Sequence, residues 1–324
     1  MGSTLIESIT PKAFRDFAAA AVDFLKINSV SEKFRHGRPV VVKRRNGNSE
    51  KIAESANLYF RLADIPIRFW SNAEEWQRWE VDCFQMLNGD RFRAFAVGAR
   101  AVCADKLPGR SLWDHMTEGT LNRRMLQAAA SELRRAHQFW SDQFRGHWSH
   151  ADATMTNVIY DEVSDRARLI DFEIVHRKSL PTRVRHADDL LVFLLDLAAM
   201  APKRQWLPLA LCFIDAYGDE KVIGEVRKHL TVPSGLARIW WNVRTSFAKP
   251  AKVKRRLEAL RNALRVLQLY SVAPTEPARK SRRPSTSCQV TSAGIPRPIS
   301  RARATRESAK APSPGMPSKL PTIR

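Results

Sequence analysis

Cysteine is scarce and scattered: Cys83, Cys103, Cys212 and Cys288 are the only four in 324 residues. Their spacing provides neither a disulfide framework nor a zinc-ligand set, which points to a reducing cytoplasm. Long apolar runs are lacking too. The most apolar stretch, Leu190 to Met200, is broken by Asp196 and is too short to cross a bilayer. No uninterrupted apolar segment near the start reads as a secretory signal, and Ile6 stands where a myristoylation pattern requires Ser or Thr. Acidic residues are few, 33 against 54 Lys and Arg, for a net charge of +21. Eleven Lys/Arg against two Glu lie in residues 273–324, a net +9, so +12 remains for residues 1–272. That Pro- and Ser-rich end has almost no periodic apolar pattern and reads as a disordered basic tail. It also lacks interleaved aromatics for base stacking, so sequence-specific nucleic-acid recognition is not expected.

What remains has the 44% apolar content of a globular protein. Its signals divide near Leu107-Pro108-Gly109 into a strand-rich first part, 1–107, and a helix-rich second part, 108–272. In the first, Pro39-Val40-Val41-Val42-Lys43 reads as a buried strand. Arg91 to Val97 and Arg100 to Lys106 read as two more, and residues 49–63 and 72–87 as helices. In the second, apolar spacing predicts one long helix over Leu121 to Phe144, buried helices over 190–199 and 206–217, and a basic helical stretch over 237–269 interrupted at Pro250. The class is therefore α+β, in two lobes.

The richest chemistry lies between Ser149 and His176. Two apolar strands flank Glu162-Val163-Ser164-Asp165, and a hairpin centred on Ser164 pairs positions whose numbers sum to 328, which sets Asn157 opposite Asp171. Asp152 lies in the loop just before the first strand. An amide and a carboxylate side by side supply oxygen ligands for Mg²⁺ bridging ATP phosphates, and a second carboxylate orients or deprotonates an attacking hydroxyl. Asn157 and Asp171 are the candidate metal ligands, Asp152 the candidate catalytic base.

This segment resembles the catalytic loop and metal-binding motif of the protein-kinase-like superfamily, above all its aminoglycoside-phosphotransferase and lipopolysaccharide-kinase branches. Their pattern is His-Gly-Asp, four residues, Asn, then Ile-Asp-Phe and an acidic residue. Here it reads His150-Ala151-Asp152, Asn157 and Ile170-Asp171-Phe172-Glu173, with Ala151 replacing the glycine. The resemblance extends over most of residues 30–220 and implies a two-lobed protein-kinase-like fold, a small antiparallel β lobe beside a larger helical lobe, with ATP and Mg²⁺ as cofactors. It implies that Lys43 holds the ATP phosphates and pairs with Glu80, favoured over Glu54. The linker around Asp105 and Leu107 would bind adenine through its backbone, and Asp188 would anchor the catalytic loop. The phosphate-covering segment should be glycine-rich, yet Ile27 to Arg38 contains only Gly37. The implied acceptor is a hydroxyl of a sugar or lipopolysaccharide-like glycolipid. The alternatives are a protein serine/threonine kinase, disfavoured because only sixteen positions separate Asp171 from Ala187, and a pseudokinase acting as a scaffold. Lys249 to Arg265, with seven Lys/Arg and one Glu, suits a solvated helix face or peripheral contact with an anionic membrane at its inner face.

Overall fold

A computed structural model describes residues 27–272. The basic tail read over 273–324 lies outside the described residues. The class is α+β, as expected.

The first part is built on a four-stranded antiparallel sheet in the order β1-β2-β5-β4, from β1 (Asn28–Arg35), β2 (Arg38–Arg45), β4 (Ala94–Val97) and β5 (Ala101–Asp105). Between β2 and β4 run α1 (Ser49–Leu62), the short β3 (Ile67–Phe69) and α2 (Ala73–Asn88). Asn72 caps α2 by accepting from the backbone N–H groups of Glu74 and Glu75. The glycine-poor segment before Lys43 forms the β1–β2 hairpin. His36 (φ 49°) and Gly37 (φ 74°) form its two-residue tip, and two successive left-handed residues match the right-handed twist of the flanking strands.

β5 leaves the sheet through Lys106-Leu107-Pro108-Gly109, with Leu107 buried and the Lys106 N–H donating to the Pro39 carbonyl at 3.0 Å. Gly109 has φ 98°, and a Cβ there would collide with the Tyr160 carbonyl oxygen. Only glycine lets the chain pass so close to β9. Gly109→Ala is expected to cost about 1–3 kcal/mol, read as a lowered urea midpoint.

The second part holds β6 (Arg110–Ser111), α3 (Leu112–Thr117), α4 (Arg123–Ala136), β7 (Trp140–Ser141), β8 (Gly146–His147), β9 (Val158–Asp161), β10 (Arg166–Leu169) and β11 (Ile174–His176). They are followed by α5 (Thr182–Met200), α6 (Trp206–Tyr217), α7 (Glu220–His229), α8 (Ala237–Arg244) and α9 (Pro250–Val272). The long helix expected over 121–144 is shorter. It ends at Ala136 because the next ring, His137, is drawn inward to Asp189 and Tyr217, and residues 140–147 fold into the β7–β8 hairpin. The small strands form a three-stranded sheet, β10-β9-β6, while β11 pairs with β3.

α5 is the central buried helix, with Leu190, Phe193, Leu194, Leu195 and Leu197 in the main core. Basic α9 packs against its end. Arg256 donates to the carbonyls of Ala198 and Ala201 at 3.1 and 2.7 Å, and Lys252 to that of Ala199 at 2.7 Å. These are the unpaired carbonyls of the last turn of α5, where cations are favoured. Arg261 likewise bonds the Leu230 carbonyl. Three of the seven basic residues between 249 and 265 are thus structural, while Lys249, Lys254, Arg255 and Arg265 are exposed. Among the described residues no helix is long and apolar enough to cross a membrane.

Candidate active site

Lys43 and Glu80 arrive from β2 and α2. Alternation along β2 puts Lys43 on the same face as Val41 and Arg45, and the helical period of α2 puts Glu80 on the same face as Trp76, Cys83, Phe84 and Leu87. Both carboxylate oxygens of Glu80 stand 3.4 Å from Lys43 Nζ, whereas Glu54 is exposed on α1. Glu80 Oε2 also accepts the Phe172 backbone N–H at 3.1 Å, which ties α2 to the Asp171 segment. Lys43 Nζ pairs in addition with Asp171 Oδ1 and, at 3.4 Å, with Glu173 Oε2. Burial works against the Lys43 ammonium, but the fields of Asp171, Glu80 and Glu173 outweigh it and raise its pKa above the ordinary lysine value. Burial pushes Glu173 upward, and repulsion from Asp171 adds to it.

The β9–β10 register differs from expectation by one residue. Arg166 pairs with Asp161 and Leu169 with Val158, so paired numbers sum to 327 and the partner of Asn157 is Ile170, whose N–H donates to the Asn157 carbonyl at 3.0 Å. The loop has four residues rather than an odd number. The Asp161 carboxylate organises it by accepting from the Val163 N–H and the Ser164 hydroxyl, and Asp165 closes it with φ 55°. Asn157 and Asp171 are therefore not opposite one another. A 3₁₀ turn over Met155–Asn157 and a left-handed Asp171 (φ 67°) aim the two side chains separately. Asn157 Nδ2 donates to the Asp152 carbonyl at 2.9 Å and to Asp152 Oδ2 at 3.1 Å, while Asp171 meets Lys43.

Asp152 follows Ala151, the residue standing where the resemblance has glycine. The reason for glycine there is visible: Ala151 has φ 69°, a left-handed conformation costing an L-residue about 1–2 kcal/mol. The strain is held by Asp189, which accepts the N–H groups of Ala151 at 2.6 Å and His150 at 2.8 Å. Asp189, not the expected Asp188, anchors the loop. The two differ by one helical step of about 100°. Asp189 turns into the core at 0% exposure and also accepts from His137 Nε2 at 2.9 Å. Asp188 turns to the rim, where it accepts from His176 Nε2 at 3.2 Å. Seven residues along the same face of α5, Asp196 accepts the Met155 N–H at 2.8 Å. Two carboxylates two turns apart thus pin both ends of the loop that carries Asp152. Burial resists the charge on Asp189, but hydrogen bonding from His137 and the nearby histidines hold its pKa below the usual carboxylate range. Burial, with repulsion from Asp152 adding to it, pushes Asp196 up to about 7.

Asp152 has a partner that sequence reasoning missed. Arg244, at the end of α8, places Nη2 3.3 Å from Asp152 Oδ1 and 3.1 Å from the Ala151 carbonyl. Burial raises the Asp152 pKa to about 6, with Asp171 adding to the effect and Arg244 opposing it. At neutral pH the carboxylate is ionised and basic.

Four carboxylates, Glu80, Asp152, Asp171 and Glu173, thus face two cations, Lys43 and Arg244, in a largely buried site. The surplus negative charge suits a divalent cation, although among the described residues no three His, Cys, Asp or Glu side chains form a metal-holding group by themselves. Because folded Asp152 and Asp196 bind protons more tightly than the ordinary carboxylate value of about 4, these two groups hold more protons in the native state than in the unfolded chain between about pH 4 and 7, while burial, by lowering the pKa values of His137, His150 and His186, acts in the opposite sense. The Asp196 share is expected to show as a urea midpoint of Asp196→Asn that rises relative to wild type as pH increases through that interval, without added metal.

Of the linker residues, the Asp105 carboxylate is spent on the Arg93 N–H at 2.9 Å, and Leu107 packs into the main core. The Asp105 N–H is engaged as well, donating to the Arg93 carbonyl at 2.8 Å.

Fold and site together bring to one place a lysine on an antiparallel sheet, a glutamate on α2, and a loop-and-hairpin segment carrying Asp152, Asn157 and Asp171. No protein-family model matches the chain, and no curated protein matches it. Among solved structures it is similar to an ethanolamine kinase of Plasmodium vivax, at 10% identity over 73% of this chain and 79% of that one, with a TM-score of 0.44. A Mycobacterium tuberculosis protein solved with erythromycin gives 16% identity, 74% and 70% coverage and a TM-score of 0.34. The bifunctional kinase-methyltransferase WbdD gives 19% identity, 64% and 45% coverage and a TM-score of 0.32. At such TM-scores no function is carried over from them.

Proposed function

We propose that the chain is an ATP-dependent phosphotransferase that moves the γ-phosphate to a hydroxyl of a sugar or a lipopolysaccharide-like glycolipid. The observation carrying this reading is the junction at which Lys43 meets Glu80 and Asp171 while Asp152 meets Asn157. In it Lys43 holds the nucleotide phosphates, Glu80 positions Lys43, and the linker backbone at Asp105 and Leu107 receives adenine. Asn157 and Asp171 hold Mg²⁺, which neutralises charge on the transferring group when bound. Asp152 accepts the proton of the attacking hydroxyl, and its pKa of about 6 keeps it ionised yet basic at neutral pH. The fixed loop limits the reorientation needed before attack. Division at residue 107 into a nucleotide-holding lobe and an acceptor-holding lobe over 108–272 belongs to the same proposal.

The acid limb of the pH profile follows from Asp152. Protonation removes the base, so kcat/KM is expected to fall about tenfold per pH unit below about pH 6. Incubation of γ-labelled ATP with cell extract and the full chain is expected to label an acceptor, and Asp152→Ala to abolish that product. A product formed equally by the variant would remove Asp152 from the reaction.

A further inference from the structure

A cavity of about 390 Å³ opens beside the junction, on the α8 side of Asp152. Its apolar walls include Ile67, Leu191, Leu195, Trp240 and Trp241, contributed by β3, α5 and α8. The β3 wall exists because the segment between β2 and α2 reaches across to pair with β11. The volume suits a monosaccharide-sized group, and aromatic walls suit the C–H face of a sugar ring.

The charged lining does not cancel. The acids of the cavity are Asp64 and Asp188, and both are engaged, Asp64 by Arg177 Nη2 at 2.7 Å and Asp188 by His176 Nε2 at 3.2 Å. The bases are Arg177, His229 and Arg244. Two of their donors remain: Nε of Arg177 and Nε of Arg244 are buried with no hydrogen-bond partner in the chain. A buried donor left unpaired costs about 1–3 kcal/mol, so a ligand supplying acceptor oxygens is favoured there. Arg244 has a second role, since its Nη2 is paired with Asp152. One side chain therefore touches both the cavity and the proposed base.

We infer that this cavity binds the acceptor through an anionic group, a phosphate or carboxylate near the hydroxyl to be phosphorylated, with Arg244 and Arg177 as specificity-determining residues. The inference rests on the phosphotransferase reading for the word acceptor, but anion binding in the cavity does not require phosphoryl transfer. Planar guanidinium groups with unspent donors match oxyanions better than neutral hydroxyls. An anion drawing on Arg244 also loosens its hold on Asp152, so that binding of the correct acceptor frees the base.

The test is tryptophan fluorescence titration of the full chain, without nucleotide, with glucose 6-phosphate and with glucose. Co-sedimentation with phosphatidylglycerol vesicles, against phosphatidylcholine vesicles, forms the lipid arm. The sugar phosphate is expected to bind at least about tenfold tighter than glucose, with Arg244→Gln and Arg177→Gln each removing about tenfold, the size of one charge-assisted contact. Preference for phosphatidylglycerol that both variants lose would support the same site with the anion on a lipid headgroup. Asp171→Ala is expected to leave either binding unchanged. A chain that binds the anion but never Mg-ATP would refute the kinase reading and leave the cavity assignment standing. Equal binding of glucose and glucose 6-phosphate without phosphatidylglycerol preference, or anion binding unaltered in both arginine variants, would overturn the inference. Because Arg177 lies at the rim, its variant remains informative even if Arg244→Gln folds poorly.

Discussion

Asp152→Asn is expected to lower kcat by about 10²–10⁴, the usual contribution of a positioned general base, while leaving Mg-ATP affinity within about threefold. The amide has the shape of the carboxylate and can still bond Asn157, so the loop keeps its course. What it loses is the capacity to take a proton. It also loses the charge that partners Arg244 at 3.3 Å. Measurement of kcat and nucleotide affinity on the same preparation separates the two effects: a parallel loss of both would mean that Asp152 serves nucleotide binding rather than the acceptor. Protonated enzyme and amide variant should converge in activity well below pH 6, because the wild-type base is then neutral as well.

The second large effect is structural. Asp189→Ala is expected to destabilise the protein by about 3–5 kcal/mol, the cost of removing one partner from a buried charged network. Three donors lose their acceptor at once: the N–H groups of His150 and Ala151 and the His137 ring. The left-handed strain at Ala151 then has nothing to hold it. At about 2–4 °C per kcal/mol for a chain of this size, the melting temperature should drop by about 6–20 °C. Asp196 supplies the contrast. It accepts one N–H, and burial has already raised its pKa to about 7, so Asp196→Asn keeps an acceptor while removing an unfavourable charge. That variant should be neutral or slightly stabilising at pH 8. Equal losses at the two positions would refute the distinction between a stabilised and a tolerated buried carboxylate.

The parts of this site legible in the sequence are those whose chemistry is local. Val40-Val41-Val42-Lys43 reads as a strand carrying an inward cation, and β2 runs two residues further, to Arg45. The motif from His150 to Glu173 also kept its polar residues at spacings that a single hairpin brings near one another. What misled was geometry finer than one residue. A four-residue loop instead of an odd one shifts β10 against β9, and adjacent aspartates on one helix exchange anchor and rim through a single step. Both choices depend on which side chain the surrounding core can bury. His137 ends α4 for a similar reason, because its partners Asp189 and Tyr217 lie 52 and 80 residues away. Arg244 had no local signal at all, since 92 residues separate it from Asp152. Asp196 was visible as a carboxylate seven residues after Asp189 on an apolar helix. That spacing, two helical turns, is the sign that both face the same buried point. Glu173 could be recognised only as part of the motif, and its contact with Lys43 needed the fold.

The most direct measurement of the central claim is calorimetric titration of the full chain with ATP in the presence and absence of Mg²⁺, for wild type and for Asp171→Ala. Wild type is expected to bind ATP in a Mg²⁺-dependent manner, and Asp171→Ala to bind Mg-ATP at least about tenfold more weakly, the loss of about 1.4 kcal/mol or more of metal-mediated affinity. Equal affinity of the two proteins for Mg-ATP would contradict the assignment of Asp171 to the metal, and with it the account of this site as a phosphotransfer centre.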